Sequence, residues 1–328
     1  MKKVLVLGGT GFVGRHLCEK LVRDNWRITV PTRRLRNAAS VMMLPFLDPL
    51  EVNIHDEAAL TQLVAGHDAV VNLVAILQGS EQAFEHTHVA LPEKQARACA
   101  ATGVRRVLHV SALGADARNP AALPSRYLRS KSRGEQVLRH AAHAGLDLTV
   151  IRPSVIFGAE DKFLNVFAQL QEIFPLVPLA GAHARFQPVW VEDVAAALAA
   201  CLRDDHAHAS IGETYEAVGP EVYTLAQLVK LAGQYAGING GRGRPVIGLP
   251  DAVARVQAVL MELMPGEPVL SRDNLDSMKV PNVATGLHPG LDALGIQPAA
   301  LAAIAPAYLG GSGLRSKLIA KRKTAGRF

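Results

Sequence analysis

Residues 4–15 read VLVLGGTGFVGR, an apolar run that breaks into glycines spaced three apart and then resumes as apolar-rich sequence. Val4 to Leu7 are too few to cross a membrane and too uniformly apolar for a half-exposed strand, so they predict the central strand of a sheet covered on both faces. Gly8, Gly11 and Gly14 mark the turn that follows. Glycine takes positive φ without penalty and lets a ligand reach the backbone, as a strand-to-helix turn around a phosphate requires. A helix starting near Phe12 would present the N–H groups of its first turn, at the positive end of its dipole, to a pyrophosphate. Gly8, Thr10, Gly11, Phe12, Val13 and Gly14 are therefore the first candidate ligand contacts.

Strand-like and helix-like segments alternate beyond the turn. WRITVPT (26–32), LEVNI (50–54), DAVVNLVAIL (68–77), RRVLHVSAL (105–113) and DLTVIRPSVIFG (147–158) read as strands. Helical patterns over Glu57–Ala65, Phe84–Ala101 and Ser130–Ala144 separate them. This order predicts an α/β fold, a doubly wound parallel sheet with helices on both faces. After Gly158 the rhythm loosens around Pro175, Pro178 and Pro188, with helices expected over Glu192–Arg203, Thr224–Ala236 and Asp251–Met264. The predicted organisation is a nucleotide-binding core over 1–158, to which later segments return, a smaller α+β substrate lobe mainly over 159–310, and a basic tail over 311–328.

The 328 residues, 49% of them apolar, supply a sizeable core. No window approaches the roughly 18 continuous apolar residues of a spanning helix, and the Lys2–Lys3 start is followed by glycines rather than a cleavage site. Cys18, Cys99 and Cys201 are odd in number and far apart, which predicts packed, reduced thiols and a cytoplasmic location. His86/His88 and His206/His208 lack companion ligands, so no metal is expected. Much of the net charge of +6 comes from the tail RSKLIAKRKTAGRF, which holds Arg315, Lys317, Lys321, Arg322, Lys323 and Arg327 and no acid. A solvated terminus is the expectation there, with attraction to an anionic membrane surface as the alternative. With Phe328 its only aromatic residue, nucleic acid is not expected as a partner.

The second strand bears on the cofactor. An NAD site usually offers an acidic side chain to the ribose hydroxyls about twenty residues after the glycine turn, whereas arginine accommodates a 2′-phosphate. Here VPTRRLR places Thr32, Arg33 and Arg34 at that point, so NADP(H) is favoured and NAD(H) is the alternative. Ser111 is expected at the carboxyl end of the fifth strand, and Tyr127 and Lys131 follow in SRYLRSKSRGE. Four residues apart on a helix, phenol and ammonium share a face, where the ammonium can lower the phenol's pKa for proton transfer.

The chain resembles the extended or atypical short-chain dehydrogenase/reductase family: GGTGFVG, NLVAIL, HVSALG, YLRSK, IRPSVIFG and QPVWVEDVAAAL follow that family's order over residues 1 to about 240. SRYLRSKSRGE, FQPVWVEDVA and the carboxyl segment LSRDNLDSMK…LGIQPAAL are similar to the bacterial branch related to the nucleotide-binding accessory subunit of respiratory complex I. The resemblance implies a Rossmann fold with Gly8, Gly11 and Gly14 at the pyrophosphate, Arg33 at the adenosine ribose, and Ser111, Tyr127 and Lys131 at the reacting centre. It also implies adenine contacts near Asn53 and Ile54, an adenosine and ribose lining of Asn72, Val74 and Ala75, and Pro153, Ser154 and Val155 near the nicotinamide. The family's helix asparagine is replaced by His88 in HTHVALPEK, where an imidazole would relay protons through its own titration or the relay would be absent. Three functions follow: an NADP(H)-dependent oxidoreductase on a carbonyl or secondary alcohol of unknown identity, an NAD-dependent sugar-nucleotide epimerase or dehydratase, or a non-catalytic nucleotide-binding protein. The third would associate peripherally with a membrane respiratory complex, at the inner membrane surface.

Overall fold

The computed structural model describes residues 1–263 and 270–310. The chain forms two compact units, the first made of Met1–Pro153, Val191–Val218 and Ala284–Gln297 and the second of the remaining stretches. The first boundary between the units falls at Pro153/Ser154, where β6 ends.

In the first unit β1 (Lys3–Leu7), β2 (Arg27–Thr32), β3 (Leu47–Glu51), β4 (Ala69–Asn72), β5 (Arg106–Val110), β6 (Asp147–Pro153) and the strand Thr214–Ala217 make one parallel sheet. Its order runs Thr214–Ala217, β6, β5, β4, β1, β2, β3. The strand order reverses beside β1, between β1 and β4, so the glycine turn opens at the switch point where ligands of such sheets lie. Val4, Leu5, Val6 and Leu7 are all fully buried because both faces are covered. Leu5 and Leu7 pack with Leu60, Leu91 and Leu138 from α2 (Glu57–Val64), α4 (Leu91–Thr102) and α5 (Arg126–His143). Val4 and Val6 alternate to the other face, the side of α1 (Phe12–Arg23), which packs on the helix Val191–Ala200. Glu192 of that helix holds Lys20 at 2.6 Å and His16 at 2.5 Å.

Two elements differ from the sequence reading. The third strand is Leu47–Glu51 and not LEVNI, and it contains Pro49. As the last strand of the sheet it tolerates a residue that cannot donate to a ladder. The helical pattern over Phe84–Ala101 is broken into α3 (Glu81–Glu85), a π turn over His86–Ala90, and α4, which carries Pro92 in its first turn. Proline is suited to that position, and π turns gather at functional sites. Gly134 of α5 sits directly on this turn, where a Cβ would lie 1.8 Å from the His88 carbonyl oxygen.

The second unit has its own core. Phe157, Leu164 and Ala168 pack with Leu228 and Ala232 of the helix Leu225–Tyr235 and with Leu301, Ala305 and Leu309 of the helix Leu301–Leu309. Short ribbons pair Val246–Gly248 with Val177–Leu179 and Ile156–Phe157 with Val189–Trp190. Among the described residues no helix is long and apolar enough to cross a membrane.

Candidate functional site

The glycine turn has the shape its sequence requires. Gly8 has φ +83°, and a Cβ on it would press on the backbone of Leu73 and Val74 at 3.3 Å. At Gly14 a Cβ would stand 2.4 Å from the Gly8 oxygen and 2.6 Å from Gly9 Cα, so α1 crosses the turn where only hydrogen fits. Gly11 is different: a Cβ there meets only the Gly8 oxygen, at 3.1 Å, and the residue is exposed. Gly11 is also the N-cap of α1 and no side chain caps the helix, which leaves Thr10, Phe12 and Val13 beside an open, positively polarised helix start. A bare-backbone cradle with uncapped N–H groups fits a dinucleotide pyrophosphate.

At the end of β2, Thr32 is buried and its hydroxyl donates to the Arg34 carbonyl oxygen at 3.1 Å, while both arginines are exposed. Positive charge gathers here. Burial, His86, Lys94 and Arg33 together hold the His55 imidazole down at about 4. An acid absent from the VPTRRLR stretch also stands here: Glu51 of β3 pairs in register with Thr32, and its Oε2 accepts the Leu35 N–H at 2.9 Å. A neighbour brought by strand pairing has no signature in the local sequence.

The adenine and ribose candidates divide. Asn53 is exposed and its Oδ1 accepts the His55 N–H at 3.1 Å, while Ile54 packs on the core. Asp56 is the N-cap of α2. Asn72 is buried and engaged at both polar atoms: its Nδ2 donates to Gln95 Oε1 at 2.8 Å and its Oδ1 accepts the Val74 N–H at 3.0 Å. It shapes the loop carrying Val74 and exposed Ala75. Pro153 ends β6, and Leu113 donates to its carbonyl oxygen. Ser154 and Val155 belong to the second unit, where both donate to Asn282 Oδ1, at 2.6 Å and 3.0 Å.

Ser125 caps α5 by accepting the Leu128 N–H at 3.1 Å, which sets Tyr127 and Lys131 on one face of the helix. Lys131 is 2% exposed, its Nζ donates to the Val110 carbonyl oxygen at 2.8 Å, and burial pulls it down to about 8. Burial raises the Tyr127 phenol to about 12. The expected lowering of the phenol by the ammonium is thus outweighed by desolvation, with the ammonium committed to the end of β5. Ser111 is also buried, and its hydroxyl has no partner at hydrogen-bond geometry. It lies close enough to the Glu135 carboxylate to help keep that group ionised.

Glu135 anchors a polar cluster that the sequence reading did not single out. Fully buried, it accepts from Arg152 Nη2 at 2.6 Å, Arg152 Nε at 3.0 Å and Arg139 Nε at 2.9 Å. Its one sequence signal is the i,i+4 pairing with Arg139. The structure also brings His88, Ser130 and Tyr127 together. Ile76 N–H donates to His88 Nε2 at 3.1 Å, so the other nitrogen carries the proton and donates to Ser130 Oγ at 2.8 Å. Ser130 in turn donates to the Tyr127 carbonyl oxygen at 2.8 Å, and the His88 ring stands edge-on to Tyr127 at 5.8 Å.

Burial first, then the Lys131 charge, lowers His88 to about 3. A group neutral in this way positions α5 and does not relay protons by titrating. An unfolded chain takes up a proton on this ring near its ordinary 6.5, the folded chain only near 3. Stability from this residue is therefore complete above pH 6.5 and falls with acidification, by at most about 1.4 kcal/mol per pH unit. Denaturant midpoints from pH 7 downward should fall less steeply for His88→Gln than for the wild type; parallel profiles would refute the assignment.

A profile of the NAD dependent epimerase/dehydratase family matches residues 4–217. The chain is 33% identical to mouse mitochondrial NADH dehydrogenase [ubiquinone] 1 alpha subcomplex subunit 9 over 90% of its own length and 76% of that protein's. It is 32% identical to a ceramide reductase of Caulobacter vibrioides over 61% of each chain. Among solved structures, a dTDP-glucose 4,6-dehydratase from Streptomyces venezuelae with NAD bound superposes with a TM-score of 0.65 at 23% identity, covering 77% of this chain and 85% of that one. The profile's match over residues 4–217, more than half of the chain, together with the glycine cradle and the seven-stranded parallel sheet, shows that the chain belongs to the NAD dependent epimerase/dehydratase family.

Proposed function

We propose that the chain is an NADP(H)-dependent oxidoreductase that interconverts a carbonyl and a secondary alcohol. The observation that carries this reading is the buried Lys131 ammonium, fixed on Val110 at the carboxyl end of β5 one helical turn from Tyr127. A buried ammonium costs stability, and a chain that only needed to pack α5 would place an apolar side chain there. Bound nicotinamide would supply the hydride at the carbonyl carbon. Tyr127, held protonated, donates its proton to the carbonyl oxygen, giving the alcohol, and the tyrosinate regains a proton from solvent. Lys131 holds the nicotinamide ribose and stabilises the tyrosinate. Ser111 orients the substrate oxygen by turning from Glu135.

Arg33 and Arg34 select NADP(H), supported by the cationic surroundings of His55. Replacing both by alanine should weaken NADPH binding by roughly tenfold or more, the worth of a charge-assisted contact, with little effect on NADH. Equal losses for the two nucleotides in calorimetry would give the selector role to Glu51 and favour NAD(H).

A second reading has its own support: the mouse relative is named as a complex I subunit, and the Ser111 hydroxyl faces Glu135. In that reading the nucleotide stabilises the fold, and the chain associates peripherally with a respiratory complex. Retention of NADPH without its oxidation by any carbonyl compound would select it.

A further inference from the structure

A cavity of about 640 Å³ opens beside the C-terminal half of α5, and every residue that lines it belongs to the first unit. Its basic side chains come from four segments. Arg139, His140 and His143 stand on α5, Arg152 on β6, Arg118 on the loop after β5, and His288 on the stretch Ala284–Gln297. Asp116 is the one acid among the described residues that line it. The lining includes no residue of the glycine turn, and neither Ser111, Tyr127 nor Lys131. The last turn of a helix favours cations, which accounts for His140 and His143. That reason does not reach Arg118 and Arg152, which lie on a loop and a strand.

The inner arginines have donors to spare. Arg152 is 9% exposed, and with Arg139 it faces the single carboxylate of Glu135, so two guanidinium groups share one negative charge. Glu135 accepts from Nε of both arginines and from Arg152 Nη2, and Thr214 Oγ1 accepts from Arg139 Nη2 at 2.6 Å. Arg139 Nη1 has no hydrogen-bond partner among the described residues, and Arg152 Nη1 reaches only the His288 ring, at a long 3.3 Å. A guanidinium can only donate, so His288 Nε2 accepts and Nδ1 carries the hydrogen. Burial, then the Arg152 charge, holds this imidazole below its ordinary range.

The outer segments are fixed as well. The Asp116 N–H donates to Ser132 Oγ of α5 at 2.9 Å, and Arg118 lies 3.9 Å from the Asp116 carboxylate with its side chain open to solvent. The Thr285 and Gly286 N–H groups donate to Glu216 at 2.8 Å and 3.3 Å, which ties down the backbone just before His288.

We infer that this cavity binds a small phosphomonoester, its phosphate held by Arg139, Arg152 and His288, with Arg118 and His140 at the rim. Guanidinium forks match phosphate oxygens, and the excess positive charge suits a dianion. Donors from a helix, a strand and a loop serve three oxygens set tetrahedrally better than the two coplanar oxygens of a carboxylate. The volume lies in the range of small-molecule sites and exceeds what a bare phosphate fills. Leu287, which lines the cavity and is 76% exposed, offers apolar ground to the organic part.

Binding here requires neither bound nucleotide nor hydride transfer, and phenyl phosphate is a suitable probe. In calorimetry without phosphate buffer it should bind the full chain saturably at one site, and more tightly than benzoate or inorganic phosphate. Arg118→Glu with His140→Glu changes two exposed side chains outside the Glu135 cluster. The double variant should unfold at the wild-type midpoint and bind phenyl phosphate roughly tenfold or more weakly. Gly11→Val should bind it as the wild type does, which separates this cavity from the nucleotide cradle. No saturable binding by the wild type, equal affinity for benzoate, binding unchanged in the folded double variant, or binding lost in Gly11→Val would each overturn the inference.

Discussion

Gly14→Ala should lose nucleotide binding together with part of the fold's stability, whereas Gly11→Val should lose nucleotide binding alone. The two glycines differ in what surrounds them. A methyl group at Gly14 falls 2.4 to 2.7 Å from backbone atoms of Gly8 and Gly9, which are held by the turn and by β1. Relief requires α1 to move from the sheet, at a cost of about 1–3 kcal/mol typical of overpacking. At Gly11 the Cβ meets one carbonyl oxygen at 3.1 Å and otherwise open space, so the valine variant should unfold near the wild-type midpoint. Its side chain would stand between the uncapped N–H groups of α1 and a pyrophosphate. Loss of two charge-assisted hydrogen bonds corresponds to roughly 100-fold or more in affinity. Calorimetry with NADPH and NADH, paired with thermal unfolding, separates the outcomes. A Gly11→Val chain that binds both nucleotides normally would move the site away from the turn.

Tyr127→Phe should reduce turnover by roughly 10² or more, the usual cost of removing a general acid. The ring keeps its edge-on contacts with His88 at 5.8 Å and Phe84 at 6.2 Å, so α5 should stay in place and nucleotide affinity should hardly change. Lys131→Ala should impair both binding and turnover if, as proposed, one ammonium serves the ribose and the tyrosinate. If Tyr127→Phe supports respiratory-complex assembly as well as the wild type in cells lacking the native protein, and neither chain oxidises NADPH, the phenol has no chemical role.

The glycine turn and the alternation around it were legible because they are local: strand, glycines and helix lie within one short stretch. The third strand was misplaced because Pro49 reads as a break unless the strand is known to lie at an edge, and edge position is a property of the sheet. The helix over Phe84–Ala101 was legible as helical, but its π turn packs its His88 carbonyl against Gly134, a contact between segments far apart in the chain. The same limit applies to the site. Tyr127 and Lys131 share a face by spacing alone, whereas the burial that raises the phenol to about 12 depends on packing around α5. Glu51 reaches Thr32 through strand register, and the Glu135 cluster with Arg152 through the pairing of α5 with β6.

The most direct test of hydride transfer is to load the purified chain with NADPH, mix it with a panel of ketones and aldehydes that includes amide-bearing long-chain ketones, and follow the reduced nicotinamide absorbance. Oxidation of the nucleotide by at least one compound is expected, with formation of the matching alcohol and loss of the signal in Tyr127→Phe. A chain that binds NADPH tightly yet leaves it reduced with every compound, or that oxidises it equally well without the Tyr127 hydroxyl, would contradict that expectation.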